Sequence, residues 1–223
     1  MTTSSTSLLP GTVQSAAPNL KGFDTNTVLT AKQATAFIQS GYSFCLRYLS
    51  RGNGQQPGDL SYAEAKMILD AGLALGAVQH VSAQGWSPNA ALGIAYGTNA
   101  AHNAASIGLP QGMNLWCDVE GIKTGTSAQS VIEYCNAWYD SVVAGGYVPG
   151  IYVGANCMLT GDQLYNNLKF QHYWKSMSSV PDIPNRGYQM VQGYAKHPVN
   201  GVYIDSDSTQ TDQKGGAVLW LKV

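Results

Sequence analysis

Residues 114–121 read Asn-Leu-Trp-Cys-Asp-Val-Glu-Gly, an apolar run that ends in two carboxylates. Because side chains alternate between the two faces of a strand, Asp118 and Glu120 share one face. Two like charges on one face of a buried strand repel each other and lose hydration. That cost is tolerable at the open carboxyl rim of a barrel, where barrel active sites lie. Crowding there also raises the pKa of one group, which predicts a protonated acid beside an ionised carboxylate.

Short apolar runs and helical patterns alternate along the rest of the chain. Strand patterns cover residues 21–25, 44–49, 75–81, 150–154, 172–176, 188–192 and 202–207, with a short last strand at 218–222. Helical patterns cover residues 31–40, 61–71, 88–107, 127–144 and 161–168. Thr30 is a candidate N-cap, and Ser61 with Glu64 predicts a capping box.

This alternation indicates the fold class. Strands that alternate with helices favour a parallel sheet, and a set of this size in one domain favours a closed barrel. The predicted class is therefore α/β, a TIM-like (β/α)8 barrel. Segments 177–187 and 193–201 are too short for full helices, so the last helices are expected to be short or missing. An open doubly wound sheet is the competing architecture, and it is disfavoured because no GxGxxG turn follows the first strand.

The composition excludes several classes of partner. Charged residues make up 11% of the chain and the net charge is −1. Without a cluster of Lys and Arg, nucleic acid is not an expected partner. No apolar stretch reaches the roughly 18 residues that a membrane span needs. The histidines are isolated, and the cysteines lack the spacing of a metal pair or a CxxC motif, so neither a metal nor a cofactor is expected. Buried thiols are expected, although a disulfide such as Cys117–Cys135 stays open.

Residues 1–20 are rich in Ser, Thr, Ala and Pro. They contain neither a basic n-region nor an apolar core of signal-peptide length, so no classical export signal is expected. The predicted organisation is a flexible leader or docking arm over residues 1–20 and one barrel domain over residues 21–223. The arm is a candidate contact for a delivery or particle partner.

Three further acids follow the same placement. Asp24 ends the first strand, and Asp205 and Asp207 end the eighth strand two positions apart. In a closed barrel the eighth strand lies beside the first, so three strands deliver carboxylates to one mouth. A turn or cap explains any one Asp at a strand end, but not acids of inward parity on three strands. The catalytic candidates are therefore Glu120, Asp118, Asp24 and Asp205, and Asp207 is a candidate substrate contact.

Acids and aromatic rings together suit chemistry on sugars. Glycosidic cleavage needs an acid that protonates the leaving oxygen and a second group that stabilises or attacks the anomeric carbon, and acetamido sugars can supply the second group themselves. Rings stack on sugar faces, and Trp86 lies in a Gln-Gly-Trp-Ser-Pro loop after the third strand. The candidate platforms are Tyr48, Trp86, Tyr152 and Trp174, with Tyr194 placed similarly, whereas Trp116 and Trp220 are expected in the core.

Two basic side chains lie near the predicted mouth. His80, at the end of the third strand, is a candidate for orienting a carboxylate or contacting substrate, and a structural role is equally open. Arg47, near the end of the second strand, is expected to pair with Asp24 and to contact substrate. A Ser-His-Asp hydrolase is disfavoured because the chain has no GxSxG elbow.

The order of the motifs carries a family resemblance. The motifs are Gly22-Phe23-Asp24-Thr25, Arg47-Tyr48-Leu49, Asp118-Val119-Glu120, Gly150-Ile151-Tyr152-Val153-Gly154 and Ile204-Asp205-Ser206-Asp207. In this order they resemble the glycoside-hydrolase-like domain family (domain of unknown function 1906), which is itself similar to the family-25 lysozymes, muramidases on a TIM-like barrel. The resemblance covers roughly residues 20–223 and single motifs such as Asp-Val-Glu are weak, but the set in register with the strands is specific.

The resemblance implies a role for each acid. Glu120 matches the general acid of the lysozymes, and Asp118 matches the aspartate that stabilises the reacting centre or positions the acetamido group. Asp24 matches the aspartate of the first strand, and Asp205 that of the last motif. This chain departs from the lysozymes at Asp207, where they often have Asn, and at residues 79–81, where Gln-His-Val replaces their Tyr-His-Phe pattern.

The expected function is hydrolysis of cell-wall glycan, namely peptidoglycan, by a lysozyme-like glycoside hydrolase. The enzyme would be made in the cytoplasm and act in the cell wall or periplasm, which implies antibacterial cell-wall degradation. Two alternatives stay open on the same barrel. One is a non-catalytic glycan-binding module that keeps the cleft, and the other is a structural component of a larger particle that docks through residues 1–20.

Overall fold

The fold is a closed barrel of strands wrapped by helices. The computed structural model describes residues 7–195 and 197–223. Its strands are β1 (Thr12–Ser15), β2 (Lys21–Asp24), β3 (Phe44–Leu49), β4 (Ala74–Gln79), β5 (Asn114–Val119), β6 (Val148–Val153), β7 (His172–Lys175), β8 (Met190–Tyr194), β9 (Asp205–Thr209) and β10 (Leu219–Lys222). Its α-helices are α1 (Ala31–Gln39), α2 (Tyr62–Asp70), α3 (Ala90–Ser106), α4 (Ala128–Ala144) and α5 (Gly161–Asn166).

Eight of the strands close the barrel, in the order β2-β3-β4-β5-β6-β7-β8-β9, and β9 returns to β2. From β2 to β8 each neighbouring pair is parallel. The predicted barrel is therefore confirmed. Within the described residues no α-helix follows β7, which agrees with the expectation that the last helices are short or missing.

The last barrel strand runs opposite to the predicted direction. β9 is antiparallel to both β2 and β8. A parallel return needs a crossover of about a dozen residues or more, and the connection from β8 to β9 spans only residues 195–204. The chain therefore turns back as a hairpin, in which Val199 and Val202 exchange two backbone hydrogen bonds of 2.9 Å. Asp205 begins this strand and Asp207 lies within it, so the prediction that these two residues end the strand was wrong.

Alternate residues of the strands point into the barrel and fill it. Small residues face large ones there, since a Cβ on Gly22 would lie 2.3 Å from the Phe44 ring and a Cβ on Gly150 would lie 2.5 Å from the Trp116 ring. The interior is thus packed solid rather than open. Its buried members include Phe44, Leu46, Val78, Trp116, Tyr152, Trp174, Met190 and Trp220, which confirms the core positions predicted for Trp116 and Trp220.

Two short strands close the floor of the barrel, at the end opposite the carboxyl rim. β4 and β5 pair only over residues 77–79 and 115–117, so they part below that level. β10 fills the opening: Leu221 pairs with Leu75, and the backbone N–H of Leu219 donates to Asn114 Oδ1 at 2.6 Å. β1 then pairs antiparallel with β10 along its full length. Part of the sequence segment 1–20 therefore lies as a strand on the barrel, while residues 1–6 fall outside the described residues.

The cysteines and the helices limit other interpretations. All four cysteines lie within the described residues and are free and buried, so the disulfide that the sequence left open is not formed. None of the helices that the structure describes has the length and apolar character needed to cross a membrane.

A buried ion pair fastens the outer wall of the barrel. Arg47 Nε donates to Glu64 Oε1 at 2.8 Å, and both side chains are almost fully buried. Other Arg47 nitrogens donate to the carbonyl oxygens of Thr25 at 2.5 Å and Gly58 at 2.9 Å. Arg47 points away from the barrel interior, so the prediction that it pairs with Asp24 and contacts substrate was wrong. Ser61 caps α2 as predicted, but the Glu64 carboxylate turns to Arg47 and to the Leu29 N–H instead of completing a capping box.

Breaking this pair should be costly. We expect Arg47→Ala to lower the free energy of unfolding by about 3–5 kcal/mol, because it leaves the Glu64 carboxylate buried without its partner. Lys66→Ala is the matched control, since it removes the cation of the exposed Lys66–Asp70 pair, and it should cost less than about 1 kcal/mol. Urea unfolding measures both values. Equal losses for the two variants would contradict the structural role given to Arg47.

Candidate active site

Five carboxyl groups meet at the barrel mouth, formed by the carboxyl ends of the parallel strands. Asp24 ends β2, and Asp118 and Glu120 lie at the end of β5 and just beyond it. Because β9 is antiparallel, its first residue reaches the same rim, and Asp205 pairs directly with Asp24 in the sheet. Asp207 lies one inward position deeper, opposite Gly22. The sequence therefore predicted the convergence of these acids, although it misjudged how β9 brings two of them there.

Glu120 stands at the edge of a small central cavity of about 70 Å³. Its carboxyl group is half-buried, and its pKa is raised first by burial and then by the charge of Asp205. Gly154 leaves space for it, since a Cβ on Gly154 would lie 2.3 Å from Glu120 Cβ. The indole nitrogen of Trp86 donates to the backbone carbonyl of Glu120 at 2.8 Å and so fixes the position of this residue.

Asp118 is a buried acid with one unpartnered oxygen. It is 8% exposed, it borders the central cavity, and its Oδ1 has no hydrogen-bond partner among the described residues. Burial raises its pKa well above the ordinary value, and the charges of Glu120 and Asp24 raise it further. A buried polar atom without a partner is costly. In this position it is available to a donor or acceptor on a bound molecule.

Asp24 is held in place by two donors. Tyr48 donates its hydroxyl to Oδ1 at 3.0 Å, and Gln192 donates Nε2–H to Oδ2 at 2.8 Å. Gln192 in turn accepts from the Tyr152 hydroxyl at 2.8 Å. Burial raises the pKa of Asp24 to about 6, against the opposing effect of the Gln192 hydrogen bond. Gln192 was not singled out from the sequence, although its inward parity on β8 was the signal that could have identified it.

Asp207 lies in surroundings that disfavour its charged form. Trp174 Nε1 donates to its Oδ1 at 2.9 Å, while its Oδ2 has no hydrogen-bond partner among the described residues. Burial first, and then the charge of Asp24, raise the pKa of Asp207 well above the ordinary value. The Asp24 and Asp207 carboxyl groups are neighbours that shift the pKa of each other. A protonated Asp207 oxygen needs an acceptor rather than a donor, and Asp24 is the neighbouring acceptor.

The predicted aromatic platforms take different positions. Trp174 and Tyr152 border the central cavity but are 1% and 6% exposed, so they form its wall rather than open stacking faces. Trp86 packs edge-on against Tyr134, and its indole N–H is used in the hydrogen bond to the Glu120 carbonyl oxygen. Tyr48 lies at the mouth, where its hydroxyl donates to Asp24 and its ring stacks on that of His80.

His80 supports Tyr48 from the side. Its ring stacks on that of Tyr48 with centroids 4.5 Å apart. His80 Nε2 lies 2.7 Å from Asp59 Oδ1, which orients the imidazole. The structural role that the sequence left open for His80 is therefore present, one contact away from Asp24.

The acids should make stability fall as pH rises. Between the ordinary aspartate pKa of 3.8 and about 6, the unfolded chain has released the proton that folded Asp24 still holds. The free energy of unfolding therefore decreases across this window, by about 1.4 kcal/mol per unit of pKa difference. We expect Asp24→Asn to flatten the decrease, because it removes this titrating group. It also removes the charge that raises the pKa of Asp118 and Asp207. Urea unfolding at several pH values tests this, with the exposed Asp70→Asn as control. A slope unchanged by Asp24→Asn would refute the assignment.

The neutral character of Asp207 has its own test. We expect Asp207→Asn to preserve stability at pH 7, because the amide N–H can donate to Asp24 while its oxygen still accepts from Trp174. Asp207→Ala should cost about 1–3 kcal/mol, since it leaves the buried Trp174 N–H unpaired. Urea unfolding of the two variants distinguishes these cases. A loss for Asp207→Asn as large as that for Asp207→Ala would show that the group is needed as an anion.

Solved structures share this barrel. The Tat-secreted protein Rv2525c of Mycobacterium tuberculosis, in complex with L-tartrate, is 15% identical, with 87% of this chain and 96% of that chain covered and a TM-score of 0.65. A bacterial lysozyme from Streptomyces coelicolor is 16% identical, with 87% and 94% covered and a TM-score of 0.60. A family 25 glycosyl hydrolase from Bacillus anthracis is 13% identical, with 88% and 91% covered and a TM-score of 0.59. At these identities the likeness shows the fold.

Sequence comparison narrows the assignment. No curated protein sequence matches the chain significantly. The family model described as Rv2525c-like, glycoside hydrolase-like domain matches residues 35–215, in agreement with the family resemblance of the motifs. Because this match spans most of the barrel, the chain belongs to the family of Rv2525c-like, glycoside hydrolase-like domains.

Proposed function

We propose that this protein hydrolyses the glycan strands of peptidoglycan, in the manner of a muramidase. The observation that carries the proposal is the pairing of Glu120 with Asp118 at one small cavity. Glu120 is half-buried and its pKa is raised. Asp118 is buried beside it with an oxygen that lacks a partner among the described residues. An acid with a raised pKa and a neighbouring buried oxygen without a partner suit the two parts that glycosidic cleavage requires.

Glu120 would act as the general acid. Its raised pKa favours the protonated form, and its place at the cavity edge gives it access to a bound glycosidic oxygen. It would donate its proton to that oxygen as the bond to the anomeric carbon breaks. Water would then add to the anomeric carbon and return a proton to Glu120, which restores the starting state.

Asp118 and Asp24 would prepare the substrate. Oδ1 of Asp118 would accept the N–H of an acetamido group and so orient its carbonyl oxygen towards the anomeric carbon, as in substrate-assisted glycosidases. Asp24, which Tyr48 and Gln192 hold in place, would bind or orient the sugar or the water. Asp205 would hold the substrate beside it and, through its charge, keep the pKa of Glu120 raised.

The choice of peptidoglycan rests on the neighbours. The solved structures with this barrel include one named as a bacterial lysozyme and one named as a Tat-secreted protein. The polar but sparsely charged composition suits a polysaccharide substrate better than a charged polymer. The site of action would then be the cell wall, outside the cytoplasm.

The decisive experiment is release of reducing ends from purified peptidoglycan. We expect Glu120→Gln to lower the rate by about 10²–10⁴-fold, because the amide cannot donate the catalytic proton. The matched control is Glu133→Gln, which makes the same change on the exposed side of α4 and should leave the rate unaltered. Far-ultraviolet circular dichroism should be the same for all three proteins.

Two results would contradict the proposal. If Glu120→Gln retained the wild-type rate, Glu120 would not be the acid. If the wild-type protein also released no reducing ends, the barrel would not cleave this glycan. Sedimentation of the protein with insoluble cell wall would then show whether it acts as a non-catalytic glycan-binding module.

A further inference from the structure

Two exposed tyrosines stand beside the acids on the hairpin between β8 and β9. Tyr194 is 70% exposed and Tyr203 is 77% exposed, whereas most of the aromatic side chains are buried. Isolated exposed rings are common on protein surfaces. These two differ because both line one cavity of about 300 Å³, together with Asp24 and Asp205. That volume lies at the lower end of the roughly 300–1,000 Å³ of small-molecule sites.

The chemistry of this cavity suits a sugar. Its polar lining includes Thr25, Asn26 and His197 in addition to the two carboxyl groups. Saccharides present hydroxyl groups around the ring and apolar C–H faces above and below it. Aromatic rings match the faces, and carboxylates, amides and hydroxyls match the rim.

The hairpin that carries the tyrosines is tied to the barrel. Tyr194 is the last residue of β8 and pairs directly with Asp205. The carbonyl oxygen of Tyr203 accepts the Thr25 hydroxyl at 2.8 Å, and Thr25 itself follows Asp24. The rings are therefore placed by the same strands that place the acids. A site held on such a framework loses less entropy when it binds a ligand.

The tyrosine cavity adjoins the central cavity of the mouth. Tyr48 and Asp205 line both this cavity and the central one. On the opposite side Glu120 lines both the central cavity and a third one of about 200 Å³, which Gln84 and Asn156 also border. The three cavities thus form a row across the mouth, with Glu120 between the centre and the Gln84 side.

We propose that Tyr194 and Tyr203 form a second sugar site, which binds a saccharide unit of the glycan chain next to the unit at the central cavity. Since the acid Glu120 separates the centre from the Gln84 side, the leaving part of the chain would lie on that side. The tyrosine site would hold the part that is retained. This inference rests on the proposed glycan hydrolysis and adds where the chain lies and which residues grip it.

The test uses glycan strands of defined length with the Glu120→Gln protein, which should bind without cleavage. Calorimetry would compare an N-acetylglucosamine–N-acetylmuramic acid tetrasaccharide and octasaccharide. Replacing both tyrosines by Ala should weaken binding of the octasaccharide about tenfold, which corresponds to about 1.4 kcal/mol, because the aromatic contacts with the sugar are lost. Replacing both by Phe keeps the rings and should retain the affinity. Ile94→Ala, an exposed apolar side chain on α3, should change nothing.

Cleavage kinetics of the tyrosine variants, measured with Glu120 left unaltered, supply a second measurement. The double Ala variant should raise KM for long strands and shift the position of cleavage along them, with kcat for the shortest cleaved strand little changed. Binding and cleavage unaffected by the double Ala variant would overturn the second site and leave the proposed function intact. Loss of affinity in the Phe variant equal to that in the Ala variant would overturn the role of the rings. If the unaltered protein neither binds nor cleaves any strand, both proposals fall.

Discussion

The mouth of this barrel gathers five carboxyl groups in a partly buried space that disfavours the charged form of each. Burial raises the pKa of each, and for all of them except Asp205 the charge of a neighbouring carboxylate raises the pKa further. Protons are therefore distributed unevenly among neighbours of the same chemical type. Asp24 receives two hydrogen bonds, which favour a negative charge there, whereas Asp207 receives one and Oδ1 of Asp118 has no partner among the described residues. Such separation by environment is how one site obtains an acid and a base from carboxyl groups alone.

The supporting residues show how the fold tolerates this cost. Trp174 and Tyr152 fill the barrel with their rings and use their polar atoms to fix Asp207 and Gln192. The same side chains thus provide hydrophobic packing below and polar alignment above. Arg47 and Glu64 act outside the wall, where they fasten the turn after β2 that begins at Thr25. A substitution that weakens the contacts inside the barrel or the ion pair outside it would therefore displace Asp24 relative to the other acids.

The sequence predicted what depends on local pattern. The alternation of strands and helices indicated the barrel, and the parity of Asp118 and Glu120 placed both on one inward face. It could not predict what depends on partners distant in the chain. Arg47 has a carboxylate before it in the sequence, Asp24, and another after it, Glu64, and the outward position of Arg47 on the folded strand selects Glu64. The direction of β9 depends on the length of the connection from β8. From the sequence, this short connection predicted only that a helix is missing. Gln192 and Tyr203 carry no motif and became visible only through their neighbours.

The pairing of β1 with β10 has a consequence for how the molecule can be attached. Both strands lie at the floor of the barrel, and they bring residues 12–15 beside residues 219–222. The described ends of the chain therefore leave from one place, on the side away from the acids. A neighbouring domain, a particle or an immobilising surface joined at either end would hold the barrel by its base. The barrel mouth would then face outwards, where a large polymer that does not diffuse could reach it.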